Sequence, residues 1–150
     1  MSEPTLPLWE LVQTSHVVTR QFRELFATHG LTPTQFGVLA CLRDGDDFTK
    51  AQLARAVMVT PQSMDPLIDS LLARGLVERD GPPGRGRPAG IRITEHGRSI
   101  TQRASTDVAA LNTATRIGIP EHQIPELVDH LKAIREALTS QRSRAPPIAR

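Results

Sequence analysis

The sequence predicts a mainly α-helical domain that carries one small β-hairpin. Three observations lead there. Apolar residues recur at steps of three and four along most of the chain, the spacing of one face of a helix. Threonine followed by proline, at Thr32-Pro33 and Thr60-Pro61, marks helix starts, because threonine caps the free N–H groups and proline suits the first turn. Only LVERD (76–80) and GIRIT (90–94) alternate apolar with charged residues at period two, as short strands do. The chain has four Phe, one Trp and no Tyr, so Leu, Ile, Val and Ala must fill its core.

The first helix spans 8–29, where Leu8, Leu11, Val12, Val18, Phe22, Leu25 and Phe26 make one stripe and Gly30 ends it. LTPTQFGVLACL opens the second: Thr32 with Gln35 is a capping box, and the helix runs to about Arg43 before Asp44-Gly45-Asp46-Asp47 breaks it. TKAQLARAV repeats the box with Thr49 and Gln52. After a tight turn at Met58-Val59, Met64, Leu67, Ile68, Leu71 and Leu72 stripe a fourth helix, closed by Gly75. Pro66 leaves two arrangements open there. Either Thr60 caps and Pro66 bends the second turn, or Asp65 caps and Pro66 begins the helix. The two strands flank PPGRGRPAG, a loop too long for a tight turn and hence a projecting wing. From Thr94 a long helix places Ile100, Ala104, Val108 and Leu111 on one stripe that can continue to Thr115, until Gly118 and Pro120. The last helix covers 121–139, with Leu127, Leu131, Ile134 and Leu138 in line, and residues 140–150 read as a disordered tail.

At 150 residues this is one domain, 1–150. The net charge is only +2, so the location of the charge matters more than its sum. From Gly81 to Thr94 the chain has Arg85, Arg87 and Arg92 and no carboxylate. Cys41 is the only cysteine, which excludes an internal disulfide. The N-terminus lacks the pattern of a signal peptide and no apolar run is long enough to span a membrane, so the expected location is the cytoplasm.

Catalysis finds no support. The loop at 82–90 lacks the lysine and hydroxyl of a phosphate-binding loop, and a strand follows it rather than a helix. The histidines 16, 29, 96, 122 and 130 form no metal-binding pair, and neither a metal nor a cofactor is implied. Double-stranded DNA fits better. A helix enters the major groove with small polar residues at its N-terminal end, where Thr60, Gln62 and Ser63 sit. Gln62 can pair with adenine, Ser63 with a base or a phosphate, and the helix end attracts a phosphate. Arg85 and Arg87 on the wing can enter the narrow minor groove, and Arg74 can meet a phosphate.

The order helix, helix-turn-helix, strand, basic loop, strand, helix, helix resembles the multiple antibiotic resistance regulator (MarR) family over about residues 8–139. LTPTQFGVLACL, LARAV, QSM, LIDSLLARGLVER and IRITEHGR carry the likeness, the stretch ending LLARGLVERD most specifically. It implies a winged helix-turn-helix core at 32–94, with 8–30 and 95–139 forming a homodimer. It also implies a sequence-specific regulator, in the family usually a repressor released by a small ligand, a metal or thiol oxidation. The dimer would sit on a pseudo-palindromic operator. The chain departs from the family in having no acid in its wing, and Pro66 where members often carry a basic residue.

Trp9 and His16 are the candidates for lining an effector pocket, weighed against dimer packing or plain surface positions. Cys41 has no cation three or four residues away and reads as an inert core residue rather than a redox sensor. The alternative to a regulator is a winged-helix architectural or protein-binding module without ligand control.

Overall fold

A computed structural model describes residues 6–45, 48–80 and 90–144. They fall into two compact units, Met1–Val108 and Ala109–Arg150.

The first unit contains helices α1 (Pro7–Thr28), α2 (Pro33–Asp44), α3 (Lys50–Ala56) and α4 (Pro61–Ala73). Strands β1 (Val77–Asp80) and β2 (Gly90–Ile93) and most of helix α5 (Glu95–Leu111) complete it. The expected capping boxes form. Thr32 Oγ1 accepts from the Gln35 N–H at 3.1 Å while Gln35 Oε1 accepts from the Thr32 N–H at 3.0 Å. Thr49 and Gln52 repeat this at 3.2 and 2.8 Å. Two helices end in the same way: Gly30 and Gly75 adopt φ +66° and +67°, and the next residue donates back five positions, Leu31 to Phe26 O and Leu76 to Leu71 O. A side chain resists that left-handed conformation, which is why glycine stands at both turns.

The strands pair antiparallel, with Val77 opposite Ile93, Glu78 opposite Arg92 and Arg79 opposite Ile91. Val77, Ile91 and Ile93 turn inward and join Leu76 in the core. Val38, Leu39, Leu53, Met64, Leu71 and Leu76 are almost wholly shut from solvent, so all of α2, α3, α4 and the hairpin base meet at one centre. This is a winged helix-turn-helix, mainly α with a two-stranded hairpin. Phe22 stacks on Phe26, and Phe26 on Phe36, fixing the C-terminal half of α1 to α2. The N-terminal half carries its apolar stripe outward: Leu8, Trp9 and Val12 are exposed.

In the second unit the structure departs from the periodicity. The long helix ends at Leu111 instead of continuing to Thr115, and α6 (Ala114–Ile117) follows as a separate turn. Asn112 donates its N–H to Ala109 O, three residues back, and the Thr113 hydroxyl donates to Ala110 O at 3.2 Å. Such local bonds compete with the helical ladder. Gly118, at φ +82°, stops α6, and a 3-10 turn at Glu121–Gln123 leads into α7 (Ile124–Arg144). Helix α7 extends five residues past the expected end at 139, because nothing in TSQRSRA breaks a helix before Pro146. Residues 140–144 of the expected tail are therefore helical, and 145–150 lie outside the described residues. Among the described residues no helix is long and apolar enough to cross a membrane.

Candidate nucleic-acid interface

Helices α3 and α4 pack through Leu53, Ala54, Met64 and Ile68, all buried. The turn between them passes through Met58, whose φ of +56° is the only positive value at a non-glycine among the described residues. Met58 is also 80% exposed, so packing does not hold it in that conformation. The Val59 N–H donates to Ala54 O at 3.0 Å and closes the turn from behind.

The start of α4 is unambiguous. Thr60 Oγ1 accepts from the Ser63 N–H at 3.2 Å, and Pro61 is the first helical residue. Of the two sequence readings the structure takes the Thr60 cap, with Pro66 inside a helix that continues through it. Burial decides this: Met64, at 0% exposure, needs helical backbone from Pro61 onward to share a face with Ile68 and Leu71.

That start sorts the polar candidates. The Thr60 oxygen is committed to the cap, and the Thr60 and Ser63 hydroxyls lie 3.0 Å apart as hydrogen-bond partners. Gln62 is exposed and its side chain has no hydrogen bond among the described residues. Of the three it alone has an uncommitted side chain. Because Pro61 has no N–H and Ser63 donates to Thr60, the Gln62 N–H remains as the first-turn donor for a phosphate.

Arg74 sits elsewhere. It is the C-cap of α4, twelve residues and ~18 Å along the helix axis from Gln62. Its Nη1 approaches Gln35 Oε1 at 3.5 Å, and the same Gln35 donates from Nε2 to Ser70 Oγ at 3.2 Å. Gln35, nearly buried at 9% exposure, thus ties the α2 cap to the C-terminal half of α4. Sequence reasoning read Gln35 as a local capping partner only, since a bond to a residue 35 positions away leaves no local signal. It also missed Lys50, whose Nζ donates to Asp65 Oδ1 at 2.7 Å and links the two helices on their exposed side.

The wing residues Arg85 and Arg87 lie outside the described residues. The base of their hairpin is well fixed. Thr94 donates its N–H to Leu76 O at 3.1 Å and its hydroxyl to Gly75 O at 2.7 Å, and it accepts from the Gly97 N–H at 3.0 Å. Trp9 and His16 are exposed on α1, seven residues apart and hence on one face. Cys41 is partly buried, and burial pushes its thiol up from the ordinary range, with the Asp44 carboxylate adding to the effect. Arg43 forks onto Asp44 at 2.6 and 3.0 Å, holding that carboxyl below the usual range. Among the described residues no three His, Cys, Asp or Glu side chains converge as a metal would require.

Comparison with known proteins gives concordant results. The sequence profile of the MarR family matches residues 29–88. The HTH-type transcriptional repressor Rv2887 of Mycobacterium tuberculosis is 35% identical over 81 residues, 54% of this chain and 58% of that relative. The chain thus matches a little over half the length of this curated relative. The solved structure of Rv2887 in complex with DNA superposes with a TM-score of 0.70 at 25% identity, over 87% of this chain and 98% of that one. The complex of Rv2887 with p-aminosalicylic acid gives 0.69 at 25% identity, with the same coverage. A MarR-family regulator from Rhodococcus sp. RHA1 reaches 0.75 at 24% identity, over 88% and 96% of the two chains, and supports the fold alone.

Proposed function

Since the chain belongs to the MarR family, we propose that it is a homodimeric, sequence-specific DNA-binding repressor released by a small-molecule effector. The observation that carries this reading is the capped, exposed start of α4, which presents an uncommitted Gln62 amide on a helix packed against a second helix. A helix held in that way fits the major groove, and glutamine pairs with both major-groove positions of adenine. Arg85 and Arg87 contact the flanking minor groove, and Arg74 a phosphate further along.

The exposed stripe of Leu8, Trp9 and Val12 supports self-association, because contiguous apolar surface of this kind marks protein interfaces. A two-fold dimer places its recognition helices in successive major grooves, ~34–36 Å apart, and so calls for a pseudo-palindromic operator. The salicylate-class complexes of the relative make small aromatic acids the first effectors to try, with Trp9 and His16 as candidate contacts.

Gel-shift titration against the DNA upstream of the protein's own gene tests the reading. A salt-sensitive complex at nanomolar protein that a small aromatic acid dissociates supports it. Equal, weak binding to any duplex, with Kd near ~10⁻⁴–10⁻⁶ M, favours the architectural module instead. Arg85→Ala combined with Arg87→Ala should weaken binding to every sequence and flatten the salt dependence by roughly one or two counterions. Gln62→Ala should cost ~1–3 kcal/mol at one base pair and relax specificity there.

A further inference from the structure

The side of α4 that faces away from the core has no cation along its length. Met64, Ile68 and Leu71 define the buried side. At about 100° per residue Gln62, Pro66, Asp69 and Ala73 lie opposite them, and all four are exposed. Asp65 is turned aside and bonded to Lys50 at 2.7 Å. Asp69 has neither a hydrogen bond nor an ion pair among the described residues. Pro66 adds to the same character. It has no N–H, so the helical ladder offers no donor to the Gln62 carbonyl four residues earlier. Beside the Gln62 amide, which both donates and accepts, the outward face therefore carries one side chain that only accepts, the Asp69 carboxylate.

In the major groove guanine shows only acceptors and thymine an acceptor with a methyl group, while the exocyclic amines of cytosine and adenine are donors. An ionised carboxylate only accepts. Set against guanine or thymine it would be desolvated without a partner, and against the phosphates it is repelled, so a wrong sequence is penalised twice. Building on the DNA-binding reading above, we infer that Asp69 is a specificity-determining residue that accepts from the N4 amine of a cytosine in each half-site. Seven residues separate it from Gln62, a rise of ~10 Å along the helix, so that cytosine belongs to a different base pair from the one under Gln62. An arginine would instead select guanine in this groove. The lack of a cation on this face thus turns the helix toward amine-bearing edges.

Selection from a random duplex library with the full chain tests the inference, using wild type, Gln62→Ala, Asp69→Asn and Asp69→Ala. Anisotropy titrations on the selected site and its single-base variants then give the base discrimination. Both Asp69 variants change an exposed side chain, and matching circular dichroism would verify their fold. The expected result is a half-site with a cytosine that wild type prefers by roughly tenfold. Asp69→Ala should lose that preference alone, Gln62→Ala should lose a preference at a different base pair, and Asp69→Ala should bind unrelated duplex more tightly. If Asp69→Ala keeps the wild-type preference at every position, the inference is overturned while the DNA-binding reading stands. The same holds if it merely gains affinity for all sequences alike. If wild type enriches no sequence, both fall together.

Discussion

Gly97 offers a sharp test of how the wing is anchored. It lies in the first turn of α5, directly under the start of the hairpin. A Cβ there would overlap the Leu76 carbonyl oxygen outright and come within 2.9 Å of Ile93 Cγ1 and 3.0 Å of the Leu76 carbonyl carbon. The carbonyl belongs to backbone, so no rotamer change relieves the clash. The helix and β1 would have to separate by on the order of 1 Å to reach ordinary contact. That movement strains the Thr94 N–H bond to Leu76 O and the Thr94 hydroxyl bond to Gly75 O, at 3.1 and 2.7 Å. Overpacking costs about 1–3 kcal/mol and each lost hydrogen bond about 1 kcal/mol. Alanine's better helix propensity offsets up to about 1 kcal/mol. Gly97→Ala should therefore destabilise the protein by about 2–3 kcal/mol, lowering Tm by roughly 5–10 °C. Urea unfolding followed by circular dichroism measures it directly. A loss below about 1 kcal/mol would show that α5 is not seated on the hairpin base as described. Gly75→Ala is the companion: its φ of +67° carries the cost while no atom stands within 4 Å of the new methyl group, so a loss of about 1–2 kcal/mol arises from backbone strain alone.

Further outcomes follow from the same geometry. Gln35→Ala removes the Thr32 N–H acceptor and the bond to Ser70, and should cost about 2 kcal/mol in urea titration; a change under about 0.5 kcal/mol would mean that the bridge between α2 and α4 is idle. Met58→Gly relieves a left-handed side chain of about 1–2 kcal/mol but frees the unfolded chain, for a net gain of about 0.5–1 kcal/mol, read as a higher Tm. Cys41, with its thiol pushed up by burial, has little thiolate at neutral pH. It should react with iodoacetamide more slowly than free cysteine, accelerating only as pH rises beyond the ordinary thiol range near about 8.5. A rate at neutral pH equal to that of free cysteine would contradict the buried environment.

The parts of the fold that sequence exposes are those with local chemistry. Thr32 and Gln35, or Thr49 and Gln52, satisfy each other within one turn, so the spacing alone locates both helices. The start of α4 has two readings in sequence because Pro61 and Pro66 each suit a first helical turn, and the Thr60 cap on Ser63 together with the burial of Met64 separates them. The end of α5 was hidden for a different reason. Thr115 stays in phase with Leu111, so periodicity runs past a break made by the local bonds of Asn112 and Thr113. Within the candidate site, Gln62 was legible as a polar residue at a helix start. The outward line from Gln62 to Asp69 needed the buried side to be known first. Gln35, Lys50 and Gly97 act across 35, 15 and 21 residues of chain, distances at which sequence patterning is silent.

Thr94 holds three contacts at once, to Gly75, to Leu76 and to Gly97. Together they act as a clamp between a stiff rod and the root of a finger. When α5 tilts, the hairpin root has no slack in which to lag behind. A few degrees of tilt at the rod would be carried whole into that root, with Gly75, Leu76 and Gly97 moving as one piece.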